Sequence, residues 1–178
     1  PVPMNPDMIK EPVDIAIDQA RIQDAQQLLH FLKQIGSESD NLTFGEEGLP
    51  VTLKEEEAYL AAAYDSRDCL LLLAKHHGKI AGNANLTRLP RRMKHRGELS
   101  ISIARDYWNQ GIGTMLLTKI IAFAKEHDFE FIDLEVRSDH HAAIHLYQKF
   151  GFQKTGIRPA FFKINGHYFD CDMMTLQL

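Results

Sequence analysis

The chain has 178 residues, of which 44% are hydrophobic and 25% charged, and its net charge is −4 with the histidines neutral. A chain of this length builds one substantial core, so we expect a single domain over residues 13–178. The small negative charge predicts no nucleic-acid partner. The longest apolar runs, such as residues 69–74, fall far short of the roughly 20 residues that span a bilayer, so we predict no membrane partner.

The amino-terminal part of the chain changes character near its thirteenth residue. Residues 1–12 contain four prolines and little periodic hydrophobicity, which predicts an extended or disordered arm. Residues 13–17 then alternate between apolar and polar side chains, as a strand would. Asp18 is expected to cap a helix that ends at Gly36 and whose apolar side carries Ile22, Leu28, Leu29, Leu32 and Ile35.

A polar loop, a second helix and a hairpin are predicted next. The loop covers residues 37–50 and has a length that is typical of segments that move or bind a ligand. Thr52 opens the second helix, and Glu55 three residues later completes a capping box. Two apolar runs, residues 68–75 and 79–89, are separated by a short glycine turn, which predicts a β-hairpin.

A strand, a glycine turn and a helix follow in direct succession. Residues 98–104 alternate as a third strand, and residues 111–127 carry the apolar spacing of a helix. The turn between them contains Gly111 and Gly113, which leave several backbone N–H groups uncovered. Unpaired N–H groups at the start of a helix bind phosphate oxygens, so the turn predicts an anion-binding site.

The carboxyl-terminal third repeats the pattern of strand, loop and helix and then ends in a hairpin. Residues 131–136 are a predicted strand, and the helix after it ends at Phe150. Residues 152–164 and 168–176 are predicted to pair around a turn at Asn165-Gly166. The whole order is βααββ, then βαβα, then ββ, which predicts a mixed sheet with helices packed on its faces. The edge strands of the hairpin are compatible with a homodimer.

Two sequence blocks resemble the GCN5-related N-acetyltransferase superfamily, and the resemblance extends over nearly the whole domain. Residues 108–113 match the signature Gln/Arg-x-x-Gly-x-Gly/Ala at both glycines, with Trp108 at its leading position. Residues 140–152 are similar to Asn-x-x-Ala-x-x-Leu-Tyr-x-Lys-x-Gly-Phe, with His140 in place of the asparagine. The matching residues of the second block are Ala143, Leu146, Tyr147, Lys149, Gly151 and Phe152.

The resemblance implies an α/β (α+β) fold of one domain. Its sheet is expected to be mixed and mostly antiparallel, with a central parallel pair of strands that splay apart and helices on both faces. Acetyl-CoA, the implied cosubstrate, would insert between the splayed strands with its pyrophosphate on the glycine turn. The residues implied to contact it are Ile103, Ala104, Arg105, Asn109, Gln110, Gly111, Ile112, Gly113, Thr114, His140 and Tyr147.

The implied activity is direct transfer of an acetyl group to a primary amine of a small molecule or a protein N-terminus. An alkylammonium has no lone pair, so a base is required, and Glu98 occupies a position that resembles the family's carboxylate base. Glu135 and Glu38 are lesser candidates, and a water relay is the alternative to all three. A backbone N–H near Ile103 is expected to stabilise the oxyanion, and Tyr147 to protonate the leaving thiolate.

Several alternatives remain open at this point. A module that binds CoA without catalysis competes with the enzyme, because Trp108 and His140 replace usual family residues. Glu38 and Ser39 in the polar loop are candidates for binding a cationic acceptor amine. A basic stretch precedes the third strand and predicts a solvated hairpin loop, with an acidic partner or the CoA 3′-phosphate as alternatives; its members are Arg88, Arg91, Arg92, Lys94, His95 and Arg96.

The histidines and cysteines complete the sequence-based predictions. His141 and His145 share a helix face, but no glutamate lies between them and no third ligand is evident, so we predict no metal site. Cys69 and Cys171 both lie in apolar runs, where a buried reduced thiol is common. Reduced thiols are typical of intracellular proteins, so we expect a cytoplasmic protein.

Overall fold

The predicted order of strands and helices is confirmed by the computed structural model, which describes residues 14–178. The arm predicted over residues 1–12 and the first residue of the predicted strand, Val13, lie outside the described residues. The elements are β1 Ile15–Gln19, α1 Ala25–Glu38, α2 Leu53–Ala63, β2 Cys69–His76, β3 Lys79–Arg88, β4 Arg96–Ile103, α3 Ile112–Glu126, β5 Phe131–Arg137, α4 His141–Lys149, β6 Gln153–Ile164 and β7 His167–Gln177.

All seven strands form one sheet in the order β1-β2-β3-β4-β5-β7-β6. Neighbouring strands are antiparallel except β4 and β5, which are parallel and lie in the middle of the sheet. A parallel pair requires a crossover, and α3 provides it between β4 and β5. The predicted mixed, mostly antiparallel sheet is therefore confirmed.

The helices divide between the two faces of the sheet, as period-2 alternation along the strands requires. On one face, α1 and α2 pack over β2 and β3, where Leu71 and Leu73 point toward Leu28 and Leu60. On the other face, α3 and α4 pack over the middle of the sheet in a larger core that includes Leu86, Leu116, Ile120, Ile132, Leu134 and Tyr147. The predicted helices on both faces are confirmed.

The start of the first helix differs from its prediction. Asp18 lies within β1 and caps nothing, and a single 3-10 turn, Ile22–Asp24, precedes α1. The Asp24 carboxylate accepts a hydrogen bond from the backbone N–H of Arg21 at 2.8 Å, and this local bond satisfies a donor at the start of the turn. Ile22 is half-exposed on this turn and does not join the core.

Gly36 does not end α1, which continues through Glu38. A Cβ at Gly36 would collide with the backbone carbonyl of Gly45 in the following loop. The glycine therefore serves close packing of the loop against the helix, and the loop predicted from residue 37 begins at Ser39. The capping box at the start of α2 is confirmed, since Thr52 and Glu55 exchange hydrogen bonds of 3.0 and 3.1 Å.

Both predicted hairpins are confirmed. The terminal hairpin turns at Asn165 and Gly166, whose φ angles of 50° and 78° are those of a two-residue turn with positive φ at both positions.

Within residues 14–178, no helix is long and apolar enough to cross a bilayer. Cys69 and Cys171 are both free thiols, half-buried and buried respectively.

Candidate active site

The parallel strands β4 and β5 stay together for only three residues and then separate. Their paired positions are Arg96 with Phe131, Gly97 with Ile132, and Glu98 with Asp133. Beyond this point β4 continues to Ile103 beside β3, whereas β5 continues to Arg137 beside β7. The sheet is open between the carboxyl halves of these two strands, so the predicted splay is confirmed. Glu98 lies at the apex of the opening.

Backbone groups of β4 point into this opening. The N–H of Ala104 donates to the carbonyl of Ala81 on β3 at 2.9 Å. Hydrogen-bonded and non-hydrogen-bonded pairs alternate along an antiparallel ladder, so Ile103 directs its N–H away from β3 and toward β5. The carbonyl of Ala104 accepts the N–H of Tyr107 at 2.9 Å. Ile103 is therefore oriented to contact a ligand in the opening, whereas both backbone polar groups of Ala104 are engaged within the protein.

Glu38 reaches the end of β4 from the far end of α1. Its carboxylate accepts the backbone N–H of Arg105 at 2.8 Å and, through the other oxygen, the side-chain amide of Gln34 at 2.8 Å. Both oxygens are engaged in hydrogen bonds, which lowers the availability of this carboxylate as a base. The N–H of Arg105 is occupied by the same contact and is not free for the predicted cosubstrate contact.

The segment from Glu38 to Asp40 crosses the open ends of both strands. Glu38 is bonded at the end of β4, and the carbonyl of Asp40 accepts the Arg137 guanidinium at the end of β5 at 3.0 Å. Ser39 lies between the two anchored residues in the chain. The first residues of the polar loop are therefore held over the opening, where the sequence predicted acceptor contacts from Glu38 and Ser39.

Arg137 is held on three sides. It donates two hydrogen bonds to the Asp139 carboxylate, at 2.9 and 2.6 Å, and its guanidinium lies 3.9 Å from the centroid of the Phe169 ring. The bidentate hydrogen bonds from Arg137 hold the pKa of Asp139 below its ordinary value. This rigid cluster positions the open end of β5 and the segment that crosses it.

The glycine turn connects the end of β4 to α3. Asn109 and Gly111 have positive φ angles of 60° and 80°, and Gly111 is the N-cap of α3 in the left-handed conformation. A Cβ at Gly111 would meet no atom within 4 Å, so the approach to the first N–H groups of α3 is open. This geometry is that of an anion-binding helix start. Ile112 is buried, so that residue can contact a ligand only through its backbone.

The second glycine of the turn has a different function from the first. A Cβ at Gly113 would lie 2.8 Å from the Leu146 side chain on α4 and 3.5 Å from that of Ile103. Gly113 therefore lets α3 start close to both α4 and β4. Two further turn residues make local hydrogen bonds, since the Gln110 amide donates to the Asp106 carbonyl at 3.0 Å and the Thr114 carbonyl accepts the Thr118 hydroxyl at 2.7 Å.

Trp108 ties the turn to the strand. Its indole N–H donates to the carbonyl of Ile103, the last residue of β4, at 2.8 Å, and the side chain is 42% exposed. The guanidinium of Arg105 lies 5.8 Å from the centroid of the indole ring. The residue that departs from the family signature thus fixes the position of the turn relative to the opening.

Tyr147 lies on α4 and belongs to the larger core. The side chain is 7% exposed and packs against Phe152 with ring centroids 5.6 Å apart. Burial raises the pKa of the Tyr147 phenol to about 12, so the group stays protonated and can donate a hydrogen bond throughout the neutral range. His140, immediately before α4, is half-buried, and burial lowers the pKa of its imidazole, which favours the neutral form.

The three candidate bases differ in their surroundings. Glu135 forms an ion pair with Arg158 at 2.7 Å, and Glu38 is bonded through both oxygens. Glu98 is exposed at the apex of the opening and is in no ion pair within residues 14–178. Of the three, Glu98 is the carboxylate whose oxygens are available to accept a proton.

The basic stretch before β4 is only partly a solvated loop. Arg88 lies 3.8 Å from the Phe129 ring centroid and donates to the carbonyls of Lys94 and His127, each at 2.7 Å. Arg96 forms two hydrogen bonds of 2.7 Å with Asp133. The stretch precedes β4, whereas the glycine turn follows that strand. Its position at the opposite end of the strand argues against the interpretation as a site for the CoA 3′-phosphate.

Sequence reasoning missed two features of the site. The cluster around Arg137 joins residues that are distant in sequence, so no local sequence pattern predicts it. The second is the contact of Tyr59 on α2 with Asn85 on β3, where the Asn85 amide donates to the Tyr59 hydroxyl at 3.3 Å. The polar alternation of Asn83, Asn85 and Thr87 was a usable signal, because it marks a face of β3 that is not packed in a core.

The comparison with protein families gives a match over most of the chain. A model of the acetyltransferase (GNAT) family matches residues 29–152. N-alpha-acetyltransferase RimI of Mycobacterium tuberculosis is 34% identical over 94 residues, which are 52% of this chain and 58% of that protein. The chain spans about half the length of the curated relatives it matches.

Solved structures with the same fold cover almost all of this chain. A GNAT-family acetyltransferase from Streptococcus pneumoniae superposes with a TM-score of 0.89, at 33% identity, over 93% of this chain and 100% of that chain. The putative acetyltransferase yncA from Salmonella typhimurium, solved with acetyl-CoA, gives a TM-score of 0.80 at 20% identity, over 92% and 94% of the two chains. The second comparison establishes similarity of fold.

Proposed function

Because the chain belongs to the acetyltransferase (GNAT) family, we propose that it transfers the acetyl group of acetyl-CoA directly to a primary amine. The observation that carries this proposal is the opening between β4 and β5 with the glycine turn at its end. The opening admits a narrow extended arm, and the turn offers N–H groups to the pyrophosphate at the end of that arm. We assign catalysis to one domain formed by residues 13–178.

The residues around the opening supply the groups that binding of acetyl-CoA requires. The backbone N–H groups from Asn109 to Thr114 are proposed to hold the pyrophosphate, and the N–H of Ile103 to pair with the pantetheine arm. His140 and Tyr147 flank the arm from the side of α4. Ala104 and Arg105 would shape this wall without a direct backbone hydrogen bond to the cosubstrate, because their N–H groups are already bonded.

The proposed reaction is a direct displacement. The uncharged amine attacks the thioester carbonyl carbon, and its proton passes to Glu98 directly or through a water molecule. A backbone N–H of the opened strand stabilises the tetrahedral oxyanion. The carbon–sulfur bond then breaks, and the phenol of Tyr147 donates a hydrogen bond or its proton to the leaving thiolate. The products are an N-acetyl amide and free CoA thiol.

Acceptors fall into two classes, small-molecule amines and protein N-termini. A relative named for N-alpha-acetyl transfer supports the second class. Glu38 and Ser39, held over the opening, are proposed to line the acceptor site. We propose a cytoplasmic protein on the basis of its two free thiols, and a homodimer in which the long, exposed strand β6 at the sheet edge pairs with a second copy.

The test is the release of free thiol from acetyl-CoA in the presence of a panel of amines that includes polyamines, aminoglycosides, amino acids and N-terminal peptides. The proposal predicts thiol release that depends on the amine, together with the acetylated amine as a product by mass spectrometry. The second candidate, a CoA-binding module without catalysis, is motivated by Trp108 and His140. Saturable acetyl-CoA binding with no amine-dependent release would favour that module and refute the enzyme.

A further inference from the structure

The middle of the sheet carries an uncovered polar surface on the face where α1 and α2 pack. Glu98 and Ser100 are exposed although β4 is the fourth of seven strands. The apolar core beneath α1 and α2 is formed with β2 and the start of β3, and among the described residues it includes none of β4. A central strand with exposed polar side chains marks a groove, because a fully covered sheet would have apolar residues at these positions.

This groove has two walls. Tyr59 on α2 forms one wall. Its hydroxyl accepts a hydrogen bond from the side-chain amide of Asn85 on β3 at 3.3 Å. On the other side, the half-exposed guanidinium of Arg158 on β6 forms an ion pair with Glu135 on β5 at 2.7 Å. Asn85 and Ser100 are paired positions on neighbouring strands, which lie about 5 Å apart. The Tyr59 hydroxyl is therefore bonded to the residue paired with Ser100, and Ser100 lies two residues from Glu98 at the apex of the opening.

The acidic residues of the groove divide into neutralised and unneutralised groups. Asp133 is paired with Arg96 and Glu135 with Arg158. In the part of the chain that the structure describes, Glu98 and Glu56 take part in no ion pair. Two carboxylates therefore leave the groove with an excess of negative charge.

Glu56 lies one turn before Tyr59 on the inner side of α2 and is 7% exposed. Its burial raises the pKa of the carboxyl group, and its charge acts on Tyr59. A buried carboxylate without a cation destabilises the fold, whereas an ammonium ion bound beside it would offset that loss. Glu56 therefore favours a cationic ligand on the wall of this groove.

We propose that the groove selects acceptors whose amine is followed by a neutral amide, as in a peptide N-terminus, and rejects free amino acids. This inference rests on the proposed acetyl transfer. An α-carboxylate is separated from its amine by one carbon and would be held within about 5 Å of Glu98, where two like charges repel. A peptide amide at the same place carries no charge, and the Tyr59 hydroxyl and Ser100 can bond to it.

The test compares L-alaninamide with L-alanine, which differ only in the group that the inference concerns. Values of kcat/KM are expressed per uncharged amine, because the amine of a free amino acid is the more basic of the two. We expect alaninamide to be preferred at least about tenfold at low ionic strength, and the preference to shrink as salt is added. Ala-Ala-Ala amide should be used at least as well as alaninamide.

Substitutions at Glu56 and Glu98 test whether the groove causes the preference for alaninamide over alanine. Glu56→Gln and Glu98→Gln should each reduce the ratio of the two acceptors, whatever they do to the overall rate. Glu57→Gln is the matched control, because it removes the same charge from the next residue of α2, which is half-buried and is in no ion pair within residues 14–178. It should leave the ratio and the rate unchanged.

The possible failures are distinguishable. Equal or preferred use of alanine, or a ratio that neither glutamate variant changes, overturns the inference and leaves acetyl transfer intact. If polyamines or aminoglycosides are acetylated and alaninamide is not, the inference is likewise overturned and acetyl transfer is left intact. Absence of thiol release with every amine overturns the proposed function together with the inference.

Discussion

The two sides of the opening between β4 and β5 are built in different ways. The proposed cosubstrate side uses backbone N–H groups of Ile103 and of residues 109–114, which follow one another in a short stretch of chain beside α4. The proposed acceptor side is made of side chains from elements that are distant in sequence, namely Tyr59, Asn85, Glu98 and Arg158. On this proposal, backbone groups recognise the cosubstrate that every acceptor shares, whereas side chains recognise what differs between acceptors.

This difference has an energetic consequence. Changes on the cosubstrate side must alter the backbone or its close packing, so we expect them to affect acetyl-CoA binding for every acceptor. Changes on the acceptor side replace single side chains and should alter the rate or the selectivity while acetyl-CoA binding is kept. The experiments below separate the two sides, starting with the largest expected effect.

Gly113→Val should abolish acetyl-CoA binding. The added side chain would overlap Leu146 on α4, which lies 2.8 Å from the position of a Cβ, and would push the start of α3 away from the opening. We expect a loss of about 1 to 3 kcal/mol in the free energy of unfolding and at least a hundredfold weaker binding by calorimetry.

Gly111→Ala is the control for this substitution. The added methyl group meets no atom within 4 Å, so only the positive φ of 80° opposes it. We expect about 1 kcal/mol of destabilisation with the start of α3 kept in place, so acetyl-CoA binding should weaken much less than in Gly113→Val. Equal binding by the Gly113→Val protein and the unmodified chain would disprove the packing argument.

Tyr147→Phe should lower kcat by about a hundredfold and leave the Kd for acetyl-CoA within about twofold. The substitution removes only the phenol oxygen from a buried side chain, so the packing with Phe152 is kept. Single-turnover thiol release and calorimetry measure the two quantities. A variant with an unchanged kcat would exclude Tyr147 from the reaction.

Glu98→Gln should lower kcat/KM by about ten- to a hundredfold. The amide keeps the shape of the side chain at the apex but cannot accept the amine proton. The rate of the variant should recover as the pH is raised, because more of the acceptor is then already uncharged. Glu135→Gln is the comparison, since Glu135 is paired with Arg158 and should contribute less to proton transfer.

The sequence located the elements of the proposed cosubstrate side more completely than those of the proposed acceptor side, for the same structural reason. The glycine turn and the block around Tyr147 are local patterns, so strand, turn and helix could be placed without knowing the sheet order. The contact between Arg137 and Asp40 spans 97 residues and depends on how the loop crosses the sheet. Asp18 failed as a cap because the chain needs a few extended residues to leave β1 before α1 can begin.

The buried phenol of Tyr147 also makes the free energy of unfolding depend on pH in the alkaline range. Burial raises the pKa of Tyr147 from 10.0 to about 12, so the folded chain retains the proton longer than the unfolded chain. Its contribution is fully present below pH 10 and is lost as the pH rises toward 12, for a total of about 2 to 3 kcal/mol. The Tm of the unmodified chain should therefore fall more steeply over this interval than that of Tyr147→Phe. Parallel curves would show that the phenol ionises normally.

Of these substitutions, Trp108→Phe should have the smallest effect on acetyl-CoA binding. It tests whether Trp108 belongs to the cosubstrate side or to the acceptor side. The substitution keeps an aromatic ring but removes the N–H that donates to Ile103, so the turn loses one connection to β4. One hydrogen bond has a net value of about 1 kcal/mol, which corresponds to roughly fivefold weaker acetyl-CoA binding. The ratio of alaninamide to alanine should stay unchanged, because no acceptor group is touched.

The unmodified chain provides its own probe for this binding measurement. Trp108 is its single tryptophan, 42% exposed beside the turn, so its fluorescence should report acetyl-CoA binding without a label. Calorimetry gives the corresponding Kd for the Trp108→Phe protein, which lacks that signal. If the substitution changed the acceptor ratio and not the Kd, the indole would belong to acceptor selection, and the separation of the two sides would be wrong at this residue.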